Sequence, residues 1–142
     1  VHGGDERVNR IAVEDKRIDI LCHPESERES GLNHVLARSA TKNDVAIEFD
    51  MGAIIHNRGR SRSQVLASMS KNLKLARRYN TQMILTSNSH MIYDLRAPRE
   101  MIALASLFGM TREEATLAMS VTPLNIIKRN SSGLPDGVEI VF

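Results

Sequence analysis

Val45-Ala46-Ile47-Glu48-Phe49, then an amphipathic run over residues 63–79, then Met83-Ile84-Leu85-Thr86, form the stretch on which the fold turns. The first and last segments are short, aliphatic and bounded by polar residues, as buried strands are. Between them Val65, Leu66, Met69, Leu73 and Ala76 recur at helical spacing. Lys71, Lys74 and Arg78 recur on another side of the same helix. Strand, helix and strand in that order predict a parallel pair joined by a crossover. Residues 52–62 between the first strand and the helix read as a basic loop carrying Arg58, Arg60 and Arg62.

The same alternation continues outward. Upstream, residues 31–42 predict a helix with an apolar stripe of Leu32, Val35, Leu36 and Ala40, and with Arg38 and Lys42 on another face. Arg17 to Cys22 reads as a buried strand closed by His23-Pro24, and Glu25 to Ser30 as a polar loop. Residues 5–16 predict a helix whose inward face is Val8, Ile11 and Ala12. Val1-His2 reads as a strand ending at Gly3-Gly4. Downstream, the polar loop Ser87 to His90 leads to a helix over residues 98–108, with Pro98 in its first turn and Gly109 past its end. Thr111 and Glu114 form a capping box. Thr122-Pro123 opens a last short helix through Ile127.

This pattern predicts an α/β chain with four parallel strands. A complete eight-stranded barrel takes about 200 residues or more, so 142 residues make either half a barrel or a small open sheet. Beginning inside a strand favours the C-terminal part of a (β/α) TIM-like barrel, in one domain over residues 1–129. A segment supplying the missing strands is expected to precede it. Residues 130–142 predict a mobile tail whose last five residues either pair as an edge strand or are loose.

Apolar residues are 42% and charged residues 25% of the chain, which excludes disorder over most of it. No apolar run is long enough to span a bilayer, and no secretory signal is visible. Cys22 is the only cysteine, which fits a reducing cytoplasm. The formal charge is +2, but its distribution is uneven. Residues 1–50 carry 7 basic and 11 acidic groups, whereas residues 51–129 carry 12 basic and 4 acidic. No acid lies between Asp50 and Asp94. Arginine outnumbers lysine 14 to 5, and its planar fork suits phosphate oxygens. A solvated face usually mixes both signs, so the missing acids point to polyanion binding. With two tyrosines and no tryptophan, base stacking is a poor prospect and phosphate contact the better one.

In parallel α/β folds functional groups gather at the carboxyl ends of strands. His2, His23, Glu48 and His90 fall at such ends and are the weak candidates for a metal site. Each histidine singly is accounted for by a loop hydrogen bond, and no tight ligand spacing is present. His34 and His56 are expected to be solvated.

The run Gly31-Leu32-Asn33-His34-Val35-Leu36-Ala37-Arg38 leading through Asn43 to Val45-Ala46-Ile47-Glu48 resembles the protein component 3 family of ribonuclease P. The likeness continues at Asn72 to Arg77, at Met83 to Ser87 with His90, and at Tyr93-Asp94-Leu95-Arg96-Ala97-Pro98-Arg99-Glu100. It implies a barrel related to the polymerase-and-histidinol-phosphatase phosphoesterases. It implies a subunit that assists a catalytic RNA in removing the 5′ leader of precursor tRNA, beside a second protein subunit of ferredoxin-like fold. Magnesium would lie with the RNA, and no cofactor with this chain. In the phosphoesterase relatives an Asp stands two residues before the last His, where this chain has Asn88, a poorer ligand.

The leading expectation is therefore an RNA-binding accessory subunit, not itself catalytic. Its phosphate contacts would come from Arg38, Lys42, Arg58, Arg60, Arg62, Lys71, Lys74, Arg78, His90, Arg96 and Arg99. The alternative is a metal-dependent phosphoesterase using His2, His23, Glu48 and His90. A third reading is a protein-binding scaffold with an incidental basic surface.

Overall fold

The computed structural model describes residues 1–25 and 30–131. In chain order the elements are α1 (Glu6–Glu14), β1 (Ile20–Leu21), α2 (His34–Lys42), β2 (Ala46–Asp50), α3 (Met51–His56), α4 (Gly59–Tyr79), β3 (Met83–Thr86), a 3₁₀ turn (Ile92–Asp94), α5 (Pro98–Ser106), α6 (Arg112–Met119) and α7 (Val121–Ser131). The sheet has the order β1-β2-β3, and all pairs are parallel. Glu48 stands opposite Ile84, and Asp50 opposite Thr86.

Among the described residues three strands form where four were expected. The segment at Val1-His2 makes only a single parallel bridge, His2 to Cys22. Its bonds are nonetheless sheet-like: the Cys22 N–H donates to the Val1 carbonyl at 2.8 Å, and the Gly3 N–H to the Cys22 carbonyl at 2.7 Å. Gly4, at φ 95°, then turns the chain out of the extended path.

Residues 52–62 are helical rather than a loop except at Asn57 and Arg58, which join α3 to α4. Asp50 caps α3 by accepting the Gly52 N–H at 2.7 Å, and Met51, Gly52 and Ile54 are buried. Gly52 looks like a helix breaker but is a packing residue: a Cβ there would lie 2.9 Å from the Ser87 carbonyl. The last helix also runs further than expected, to Ser131. Residues 130–131 thus complete α7, and the rest of the expected tail lies outside the described residues, as do residues 26–29 of the polar loop.

The two sheet faces differ in kind. Leu21, Ile47, Phe49 and Leu85 enter the main core with residues of α1 to α6. Phe49 stacks on Phe108, with ring centroids 5.4 Å apart, a pairing that contributes about 1 kcal/mol beyond its burial. The opposite face places Ile20, Ala46 and Ile84 against Ile126 of α7. Side chains alternate along a strand, so Cys22, Glu48, Asp50 and Thr86 share that second face beyond the apolar patch.

Helix α1 buries Asn9, Ala12 and Val13; of the expected inward face only Ala12 is buried, whereas Val8 and Ile11 are 37% and 68% exposed. Asn9 Oδ1 accepts the Gly4 N–H at 3.2 Å, and Nδ2 donates to the carbonyls of Pro24 (2.7 Å) and Gly31 (3.1 Å). A buried amide with every arm used ties two loops together, which a buried isoleucine would leave unsatisfied. On α2 the same kind of rotation leaves Val35 58% exposed and buries Ala37.

Candidate nucleic-acid interface

Two neighbouring helices build a basic groove. The 21 residues of α4 bury Met69, Leu73 and Ala76 along one stripe. That geometry turns Lys71, Lys74 and Arg78 outward, and all three are exposed. Beside them α2 starts at Asn33, whose Oδ1 accepts the Leu36 N–H at 2.9 Å and caps the helix. Between the two lies a groove of about 450 Å³ lined by Asn33, His34, Lys71, Lys74, Leu75 and Arg78. None of its lining residues is acidic. Among the described residues, Lys71, Lys74 and Arg78 form no ion pair. The positive end of the α2 dipole faces the same space.

His34 is exposed, as expected, and its Nδ1 also lies 3.1 Å from the Tyr79 hydroxyl. Tyr79 in turn packs under the Arg78 guanidinium, 5.7 Å from its ring centre. Arg38 and Lys42 follow His34 at spacings of four, so two further cations continue along α2 from the groove. At its far end Lys42 shares a small cleft with Lys16, the acidic Asp44 and Arg129, which pairs with Asp19 at 2.7 Å.

Other expected contacts divide. Arg58 precedes α4 and Arg60 opens it, both exposed near the carboxyl edge of the sheet. Arg62 is half-buried, and its Nε donates to the Asn57 carbonyl at 2.7 Å, tying the end of α3 to α4. Arg96 spends its Nη1 on the carbonyls of Tyr93 and Leu95, at 2.6 and 2.9 Å. These two forks hold backbone, so they are not open for phosphate as Lys71 and Lys74 are. His90 and Arg99 are exposed, and Arg99 lines a shallow cleft with Ile102 and Arg112. The cations thus form a groove, a stripe and a carboxyl-edge group rather than one continuous patch.

The strand ends hold a second cluster. His23, at φ 49°, brings Nδ1 to 3.4 Å from Asp50 Oδ2 and Nε2 to 3.7 Å from Glu48 Oε2. The His2 ring stacks on His23 at 5.3 Å. Thr86 donates to Glu48 Oε1 at 2.8 Å, and Asn88 Nδ2 to Asp50 Oδ2 at 3.2 Å. Burial raises the Asp50 carboxyl above its usual range, against the lowering pull of Asn88 and Gly52. The Cys22 thiol is pushed up to about 11, first by burial and then by the adjacent Glu48.

Of the four metal candidates, His2, His23 and Glu48 come together and His90 does not join them. The His90 backbone N–H donates to Asp94 Oδ2 at 3.0 Å. Among the described residues no three His, Cys, Asp or Glu side chains take up a geometry that would hold a metal ion. The Asn88 amide stands in the middle, donating to Asp50, where a metal would need an acceptor. Sequence reasoning left out the Asp94–His56 pair, 3.4 Å apart, because nothing in the spacing of those residues brings them together.

These features define a parallel α/β protein with a cationic helical face. Residues 1–132 match the family described as RNase P subunit p30. The chain belongs to that family. It is 51% identical over 143 residues to ribonuclease P protein component 3 of Methanococcoides burtonii, covering 99% of this chain and 59% of that protein. With the same component of Methanosarcina barkeri the identity is 44%, over 99% of this chain and 60% of the relative. This chain therefore spans about three fifths of the length of these relatives. A chain in a cryo-EM structure of archaeal ribonuclease P with mature tRNA superposes with a TM-score of 0.83 at 30% identity, over 99% of this chain and 63% of that one. Among the described residues no helix is long and apolar enough to cross a membrane.

Proposed function

We propose that this chain is an RNA-binding protein subunit of ribonuclease P that assists the catalytic RNA in removing the 5′ leader of precursor tRNA. The groove of Lys71, Lys74 and Arg78, lined by no acid, carries the reading. Family membership supports it. Phosphates entering the groove and running along Arg38 and Lys42 would release counterions, so affinity would be governed by charge and shape rather than base identity. Arg58, Arg60, His90 and Arg99 extend the contact at the carboxyl edge, while Arg62 and Arg96 act by bracing the backbone near it.

In this reading the sheet is the C-terminal part of a (β/α) TIM-like barrel. The all-parallel order and the two dissimilar sheet faces support that architecture. The partners are the ribonuclease P RNA, precursor tRNA indirectly, and a second protein subunit of ferredoxin-like fold. Magnesium acts with the RNA, and the work is done in the cytoplasm.

Reconstituted cleavage of precursor tRNA by the catalytic RNA at limiting magnesium, with and without the protein, tests the proposal. Faster cleavage with the protein, abolished when Lys71, Lys74 and Arg78 are replaced together by alanine, is the expected result. Unchanged cleavage on adding the protein would refute it.

A further inference from the structure

The groove between α2 and α4 has two chemically different walls. On α4 stand the cations Lys71, Lys74 and Arg78, and the largely buried Leu32 and Leu75 line the space beside them. On α2 stand Asn33 and His34, which form hydrogen bonds without needing a charge. Asn33 spends Oδ1 on the cap of α2. His34 is exposed, and Tyr79 sets its ring. Nδ1 lies 3.1 Å from the Tyr79 hydroxyl, and the two rings meet edge to face, with centres 5.9 Å apart and planes at 69°. Tyr79 is itself held. The Thr41 hydroxyl donates to its carbonyl at 3.0 Å, and the Arg78 guanidinium covers its ring at 5.7 Å. His34 Nε2 bonds no other described residue, so an oriented imidazole leaves one nitrogen open at the groove.

Phosphate binding uses the cationic wall and leaves the α2 wall without a role. Between successive phosphates of an RNA strand lies a ribose, whose 2′-hydroxyl both donates and accepts. The hydrogen shared by His34 and Tyr79 belongs to one or the other. When the tyrosine hydroxyl donates to Nδ1, the neutral ring carries its N–H at Nε2; when Nδ1 donates, Nε2 is an acceptor. A 2′-hydroxyl satisfies either state, whereas a phosphate oxygen, an acceptor alone, satisfies only the first. A deoxyribose satisfies neither. We infer that His34, positioned by Tyr79, contacts a ribose 2′-hydroxyl and makes the groove select RNA over DNA. The inference rests on the proposed function, because phosphates on Lys71, Lys74 and Arg78 are what bring the sugar edge to α2.

The test compares a short RNA duplex with the same duplex carrying 2′-fluoro sugars, which keep the A-form helix and lack the O–H. Filter binding at low salt is measured for the intact protein, His34→Ala, Tyr79→Phe, and a variant with Lys71→Ala and Lys74→Ala. The intact protein should bind the hydroxyl duplex about fivefold more tightly than the fluoro duplex, the worth of one neutral hydrogen bond. His34→Ala should bring that ratio close to one by losing affinity for the hydroxyl duplex alone, and Tyr79→Phe should narrow it. The lysine variant should weaken both duplexes by the same factor and keep the ratio. Should His34→Ala melt below the intact protein, Tyr79→Phe is read in its place. A ratio that persists in His34→Ala overturns the inference, as does an intact protein without preference; both leave the proposed function standing. An unchanged ratio in Tyr79→Phe overturns the positioning role of Tyr79. Equal loss on both duplexes in His34→Ala assigns the histidine to a phosphate and overturns the sugar contact. If the intact protein binds neither duplex the inference fails, and affinity for the ribonuclease P RNA then decides the proposed function by itself.

Discussion

The Arg77 guanidinium of α4 holds the Glu114 carboxylate of α6 through two bonds of 2.7 Å, and reaches the Gly109 carbonyl at 2.8 Å. The same carboxylate accepts the Thr111 N–H at 2.8 Å and so closes the capping box of α6. One arginine of a basic helix is thereby used to weld two helices, while its neighbours stay open to solvent. The pair is 41% and 23% exposed, so solvent screens it. Glu114→Ala should cost about 1–2 kcal/mol, from removal of the ion pair and cap together. Chemical denaturation measures this, and RNA affinity should not move.

That ion pair also sets a pH dependence. Glu114 is held below its usual value of 4.5, chiefly by Arg77 and against a raising effect of burial. A depressed acid contributes stability above its unfolded pKa and loses it as pH falls through the folded one. Wild-type stability should therefore decline below about pH 4.5. The Glu114→Gln variant should start lower and decline less steeply over the same window. Parallel denaturation curves at pH 7 and pH 3.5 for the two proteins would contradict this.

Removing charge from the groove should act on salt dependence before it acts on fold. Each phosphate that the protein no longer neutralises lowers the salt slope of RNA binding by about 0.7–0.9. The Lys71, Lys74 and Arg78 triple alanine variant should therefore flatten the slope by about 2–3. Arg62→Ala should instead lower thermal stability and leave the slope nearly intact, because its fork holds the Asn57 carbonyl. Filter binding across a salt series separates the two.

Gly31 stands at φ 77°, and a Cβ there would collide with the Pro24 carbonyl and press on the Glu25 nitrogen. Both obstacles are backbone, so neither can rotate away. Gly31→Ala should cost about 3 kcal/mol or more, from the left-handed backbone and the collision together. It should also disturb Asn9, which bonds the Gly31 carbonyl. A thermal melt within a degree of wild type would refute the reading.

Cys22 should be a slow nucleophile. With its thiol raised to about 11 from an ordinary 9.0, alkylation by iodoacetamide at pH 8 should be roughly a hundredfold slower than for a free thiol. Glu48→Gln removes the secondary cause and should speed the reaction, though burial keeps it below the free rate. Equal rates in both proteins would leave burial as the only cause.

Local patterns carried much of this fold. The apolar segments Ala46–Asp50 and Met83–Thr86 are strands, and the stripe of Met69, Leu73 and Ala76 lies inside α4. Thr111 with Glu114 closes its capping box through both bonds, as their spacing dictates. These features depend on neighbours within a few residues, and such neighbours are legible in the chain. Residues 52–62 read as a loop because Gly52 and the polar Arg-Ser run carry little intrinsic helix preference. Packing of Met51 and Ile54, and the cap from Asp50, outweigh that. Val1-His2 has the composition of a strand, but whether a strand forms depends on how many partners lie alongside.

By itself the sequence determined the parallel α/β alternation, the basic bias of residues 51–129 and the resemblance to its family, since periodicity, charge and motif order are properties of the linear chain. Only the tertiary structure decided which cations are open. Lys71 and Lys74 face a groove, whereas Arg77 is engaged by a carboxylate and a carbonyl more than thirty residues away, and Arg62 and Arg96 turn back onto carbonyls of their own neighbourhood. A charged side chain's role depends on what lies within about 3 Å of it, and chain folding sets that distance.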